Sequence, residues 1–106
     1  QVILTNSLLH HLASPGTLWQ TIINVATPGA LVLVMDLFRP PSKSAAATLV
    51  EKYSSTEPQI LQDDFYRSLL AAYRPHEVQQ QLDEHGLNLR CREVSDRHFA
   101  VWGRLQ

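Results

Sequence analysis

Residues 30–38 read ALVLVMDLF, and the six consecutive apolar residues Ala30 to Met35 constrain the fold more than any other stretch of the chain. A run of this length without alternation suits a strand buried on both faces. Gln1 to Thr5 is a second short apolar run rich in β-branched residues, and Ser14-Pro15 between the two reads as an N-cap followed by proline at the first helical position. Leu18, Ile22 and Val25 then recur at helical spacing, with Trp19, Ile23 and Ala26 beside them, until Pro28-Gly29 stops the helix. Strand, helix and strand in that order imply a right-handed crossover and two parallel neighbours. Asp36 would close the second strand at its carboxyl end, where open α/β sheets place their ligands.

The middle of the chain is helical. After the turn Arg39-Pro40-Pro41, Ser42 or Ser44 can cap a helix through AAATLVEKY, and Glu57-Pro58 leads into a second, ILQDDFYRSLLAAY. Pro75 opens a third, PHEVQQQLDEHG, with Gly86 as its stop and Leu87 the hydrophobic residue after it. In the tail, Ser95-Asp96-Arg97 joins two strand-like runs as a hairpin. Leu89 and Cys91 alternate with Asn88, Arg90 and Arg92, as at a sheet edge, whereas Phe99 to Trp102 are apolar on both faces, as in an interior strand. The expected fold is therefore one α/β domain over residues 1–106, with four strands in the spatial order first, second, fourth, third.

Length and charge narrow the function. A chain of 106 residues buries on the order of two thirds of its unfolded surface. Its formal charge is −1 and its nine Lys and Arg are scattered, which argues against nucleic acid as a partner. No apolar stretch approaches the ~20 residues of a spanning helix, and the start lacks a signal peptide's basic region and cleavage site. With Cys91 as its single cysteine, the sequence suits a soluble, cytoplasmic setting and excludes an internal disulfide. Gln1 at the start, with strand-like residues immediately after it, reads as a piece of something longer.

Several residues could carry chemistry. Asn6 and Ser7 follow the first strand, where they either close a turn through local backbone bonds or line a pocket. His10 and His11 sit about 100° apart on a helical turn, a poor arrangement for chelating one metal together. His76-Glu77 would begin a HExxH zinc motif, but the second histidine position holds Gln80, so no metal is expected. His85 before Gly86 suits a helix C-terminus. His98, Cys91 and the three tyrosines Tyr53, Tyr66 and Tyr73 read most simply as structural. Asp36 costs free energy at the end of an apolar strand unless it is solvated in a cleft or paired, for instance with Arg39.

The segments TNSLLHHL and ATPGALVLVMDL, together with the closing hairpin, resemble the carboxyl-terminal half of a class I S-adenosylmethionine-dependent methyltransferase of the small-molecule type. The likeness spans essentially the whole chain, including DDFYRSLLAAYRPHEVQQQLDEHGL and VSDRHFAVWG. It implies a partial Rossmann-like sheet and a small-molecule methyl acceptor. By the same resemblance Asn6, Ser7 and Leu8 line the methionine end of the cofactor. His10 and His11 stand at the boundary of donor and acceptor pockets, as candidate bases for an acceptor that must lose a proton. Asp36, Leu37 and Phe38 match the segment facing the acceptor, Asp36 and Phe38 being the expected substrate contacts. The chain departs from the pattern in its glycines: no two of Gly16, Gly29, Gly86 and Gly103 lie within five residues, so the family's glycine-rich cofactor loop has no counterpart. Weak or absent S-adenosylmethionine binding and no activity are therefore expected of the chain alone. A non-catalytic module is the alternative, and a nucleotide-dependent reductase fits the terminal hairpin less well.

An apolar first strand without a neighbour on its outer side is a template for another strand. The expected partner is a second copy, paired antiparallel through Gln1–Thr5 across a two-fold axis into an eight-stranded sheet, or the missing amino-terminal half of the domain.

Overall fold

The computed structural model describes residues 1–7, 9, 12 and 14–105; the expectations for Leu8, His10 and His11 lie outside those residues. The described elements are β1 (Val2–Asn6), α1 (Gly16–Val25), β2 (Leu31–Leu37), α2 (Lys43–Ser54), α3 (Gln59–Ala71), α4 (Pro75–Glu84), β3 (Arg90–Glu93) and β4 (His98–Arg104). The strands form one mixed sheet in the order β1-β2-β4-β3. β1 runs parallel to β2, from Val2 opposite Leu31 to Asn6 opposite Met35. β4 is antiparallel to both its neighbours, β2 and β3. The expected order and hairpin are thus present, and the helices fall where their periodicity put them.

Local chemistry fixes most of the boundaries. Gly29 has φ +81 and Ala30 N–H donates to the Thr27 carbonyl at 3.0 Å, so Pro28-Gly29 makes a tight turn into β2. α1 departs slightly from expectation: it begins at Gly16, Pro15 takes the capping position, and Ser14 contributes its carbonyl, which accepts from Thr17 N–H at 3.2 Å. Ser42 caps α2 by accepting from Ala45 N–H at 3.0 Å. α4 ends on Gly86 at φ +66, where Gly86 N–H donates to the Asp83 carbonyl and Leu87 N–H to the Leu82 carbonyl. That pair of bonds satisfies carbonyls that a helix end otherwise leaves open, and it turns Leu87 into the core.

One face of the sheet is well covered. Val32, Val34, Phe99 and Val101 pack against Leu18, Trp19 and Ile22 of α1 and Val78 and Leu82 of α4. Trp19 is fully buried and its indole N–H donates to Gln81 Oε1 at 3.0 Å, tying the two helices together over the sheet. Each large side chain buried there contributes roughly 1.5–3 kcal/mol. A smaller cluster of Ala46, Leu49, Val50 and Leu69 joins α2 to α3 and packs beside Leu37 at the carboxyl end of β2.

The other face corrects an expectation. Burial alternates along β2 instead of being continuous, because no described helix covers its amino-terminal half. Val2 and Leu4 are 61% and 67% exposed, Leu31 41% and Trp102 38%. The two edges of the sheet also differ. Gln79 of α4 donates to the Leu89 carbonyl and accepts from Cys91 N–H at 3.1 Å, which occupies the outer side of β3. β1 is the other end of the strand order, with no strand on its outer side among the described residues.

Candidate functional site

The exits of β1 and β2 lie side by side because the two strands are parallel and in register. Ser7 N–H donates to the Met35 carbonyl at 2.9 Å, the last bond of that ladder. Ser7 then takes φ +59, a left-handed conformation uncommon outside glycine. Such conformations carry a cost that functional sites often retain. Its hydroxyl donates to Asn6 Oδ1 at 3.0 Å, and both residues are exposed. Beyond them Leu9 is buried in the main core, and the Tyr73 hydroxyl donates to the Leu12 carbonyl at 3.3 Å.

Asp36 is 0% exposed on the covered face of the sheet, in register with Phe99, and its Oδ1 accepts from Leu37 N–H at 2.7 Å. It is set back from solvent. Arg39, suggested as its salt-link partner, instead directs Nε to the Ala72 carbonyl at 3.0 Å. Phe38 is nearly buried, donates its N–H to the Arg97 carbonyl at 3.0 Å, and bridges to Tyr73. It borders two open hollows, one of about 360 Å³ with Arg39, Arg74 and His76, the other of about 400 Å³ with Ala45, Leu49 and Asp96. Asn6, Ser7, Asp36 and Phe38 are thus gathered at one end of the sheet, with Phe38 alone of the four beside these hollows.

A polar cluster at the hairpin tip is not foreshadowed by any local pattern. Asp96 accepts from the Tyr53 hydroxyl at 2.6 Å and pairs with Lys52 at 3.1 Å and Arg97 at 3.0 Å. The Arg97 guanidinium also lies 3.7 Å from the centre of the Tyr53 ring. Held by the Tyr53 hydroxyl above all, and by Lys52 and Arg97, the Asp96 carboxyl titrates at about 2. The neighbouring His98 is pushed down by burial and then by Arg97, against the smaller pull of Asp36 and Asp96. Tyr53 and Lys52 lie 43 and 44 residues from Asp96 in sequence across the α2–hairpin contact, a separation that local patterns do not register.

No group of three His, Cys, Asp or Glu among the described residues could hold a metal ion. Glu77 of the broken zinc motif accepts from Arg74 N–H at 2.8 Å, a capping bond. Asn6 and Ser7, expected at the methionine end of S-adenosylmethionine, are exposed and joined to each other by one hydroxyl–amide hydrogen bond. None of the described helices is long and apolar enough to cross a membrane. Neither protein-family models nor curated proteins give a match to this chain.

Proposed function

We propose that these 106 residues are the carboxyl-terminal part of a class I S-adenosylmethionine-dependent methyltransferase domain that acts on a small organic molecule in the cytoplasm. The observation that carries the reading is the insertion of antiparallel β4 between parallel β2 and its hairpin partner β3, at the finishing edge of the sheet. The left-handed Ser7 at the exit of β1, inside TNSLLHHL, supports it further. On this reading Asn6, Ser7 and Leu8 run along the methionine end of the donor, Asp36 and Phe38 lie towards the acceptor, and His10 or His11 takes a proton where the acceptor must lose one. Methyl transfer from a sulfonium asks chiefly for alignment of acceptor, methyl and sulfur, so the contribution of these residues is positional. The rest of the donor pocket belongs to other segments. Calorimetric titration with S-adenosylhomocysteine tests this on the 106-residue chain and on the full product of its gene. Heat from the full product and none from the chain is expected; a full product that binds nothing would end the proposal.

A second reading is favoured by one observation, the edge position of β1 in a sheet whose uncovered face carries the exposed Val2 and Leu4. Here the chain is a non-catalytic module that folds as a homodimer through that strand. Sedimentation at micromolar concentration separates the two, since a chain that stays monomeric is incompatible with the module reading.

A further inference from the structure

We propose that the hollow bounded by Arg39, Lys43 and Arg74 binds the anionic group, a carboxylate or a phosphate, of a small organic molecule. The hollow measures about 310 Å³ and lies just beyond β2, with Leu70, Pro40 and Pro41 as its apolar walls. Its three cations come from two parts of the sequence: Arg39 from the exit of β2 and Lys43 from the first residue of α2, four positions on, and Arg74 from the residue before α4. Three of the nine Lys and Arg therefore meet at one small cavity of a chain whose formal charge is −1.

These charges are not spent on protein carboxylates. Among the described residues the ion pairs are Lys52–Asp96 and Arg97–Asp96, and Arg39, Lys43 and Arg74 make none. Arg39 is half-buried and held at two points, its Nε on the Ala72 carbonyl and its N–H on the Tyr73 carbonyl at 3.1 Å. A guanidinium held in that way gives up less rotational freedom when an anion arrives. The adjoining 360 Å³ hollow shares Arg39, Pro41 and Arg74 and adds His76 and Glu93. Glu93 borders only that second hollow, and Glu77 is engaged by the Arg74 N–H, so the anion belongs on the Lys43 side. An organic body attached to it would lie on Leu70 and the prolines. A hollow near 300 Å³ is at the small end of ligand sites, which suits a small organic acid or phosphate. The binding claim stands on charge and geometry alone; that the bound molecule is the methyl acceptor rests on the methyl-transfer reading.

The test is a nuclear magnetic resonance titration of the isotope-labelled 106-residue chain with sodium phosphate and, separately, with sodium benzoate, both at constant ionic strength and without cofactor. Saturable shifts of the Arg39, Ser42, Lys43 and Arg74 amides are expected with at least one of the two. Lys43→Gln or Arg74→Gln should weaken that binding about fivefold or more, as loss of a charge-assisted contact does, while Arg67→Gln on α3 should not. Saturation by phosphate alone marks a phosphate ligand and saturation by benzoate alone a carboxylate; either supports the proposal. Shifts that fail to saturate with both, or saturation that neither hollow variant weakens, would overturn it. Lys43 and Arg74 are exposed, and the spectrum away from the hollow reports whether each variant remains folded. Because no cofactor is added, a failed methyl-transfer reading leaves this result interpretable.

Discussion

Asp96 shows how a single exposed carboxylate becomes a pH-dependent fastener. It joins the β3–β4 turn to α2 through Tyr53 and Lys52. A carboxyl held below its unfolded value stabilises the fold at every pH above that value, and the contribution is lost as pH falls from 3.8 to about 2. Tyr53→Phe removes the largest cause, so the Asp96 carboxyl should move up towards 3.8 and the acid side of the stability profile should flatten. A carboxyl-carbon titration of both proteins checks this; an unmoved Asp96 would show that Lys52 and Arg97 suffice. Cys91 illustrates the opposite sign. Burial, and then Glu93, push its thiol up to about 12, so it stays protonated at neutral pH. Its reaction with a disulfide reagent at pH ~8 should be slower by about two orders of magnitude in the folded chain than in urea. Comparable rates in the two states would mean that the thiolate is not suppressed.

At the scale of elements, Gly86 isolates one physical effect. Its φ of +66 is left-handed, yet a Cβ added there would meet nothing within 4 Å, so Gly86→Ala introduces backbone strain without a clash. The substitution should lower stability by about 1 kcal/mol, and Gly86→Asn by less, read from urea midpoints. A neutral alanine variant would show that α4 can end without the left-handed residue. This helix stop was legible from Gly86-Leu87 because caps are local chemistry, as were Ser42 before α2 and the Pro28-Gly29 turn. The position of β4 was legible from its apolar residues on both faces. Exposure of Leu31 and Trp102 was not, since an apolar run records what a strand can bury and not which neighbours cover it. The Tyr53–Asp96 contact and the meeting of Arg74 with Arg39 and Lys43 were equally silent, because each joins segments remote in sequence.

For the whole molecule the decisive feature is the asymmetry of the sheet. Its radius of gyration is 14.7 Å, against roughly 13 Å for a compact chain of this length. One face and the β3 edge are covered by α1 and α4, while the opposite face exposes Val2 and Leu4 and β1 is the end strand. In the parallel ladder Gln1 accepts from Leu31 N–H and Ser7 donates to the Met35 carbonyl, so the odd-numbered residues of β1 serve β2. The main-chain groups of Val2, Leu4 and Asn6 therefore point outward. Two such edges related by a two-fold axis can pair antiparallel about Leu4, with Val2 opposite Asn6 of the second copy. Leu4→Pro discriminates sharply, because it removes an outward N–H and leaves the bonds to β2 in place. If the homodimer forms, this variant should keep the circular dichroism of the parent and sediment as a monomer, and Leu4→Lys should do the same by placing charge on the edge. A Leu4→Pro protein that still sediments as a dimer would rule out the β1 edge as its interface and leave the exposed face around Leu31 and Trp102 as the contact.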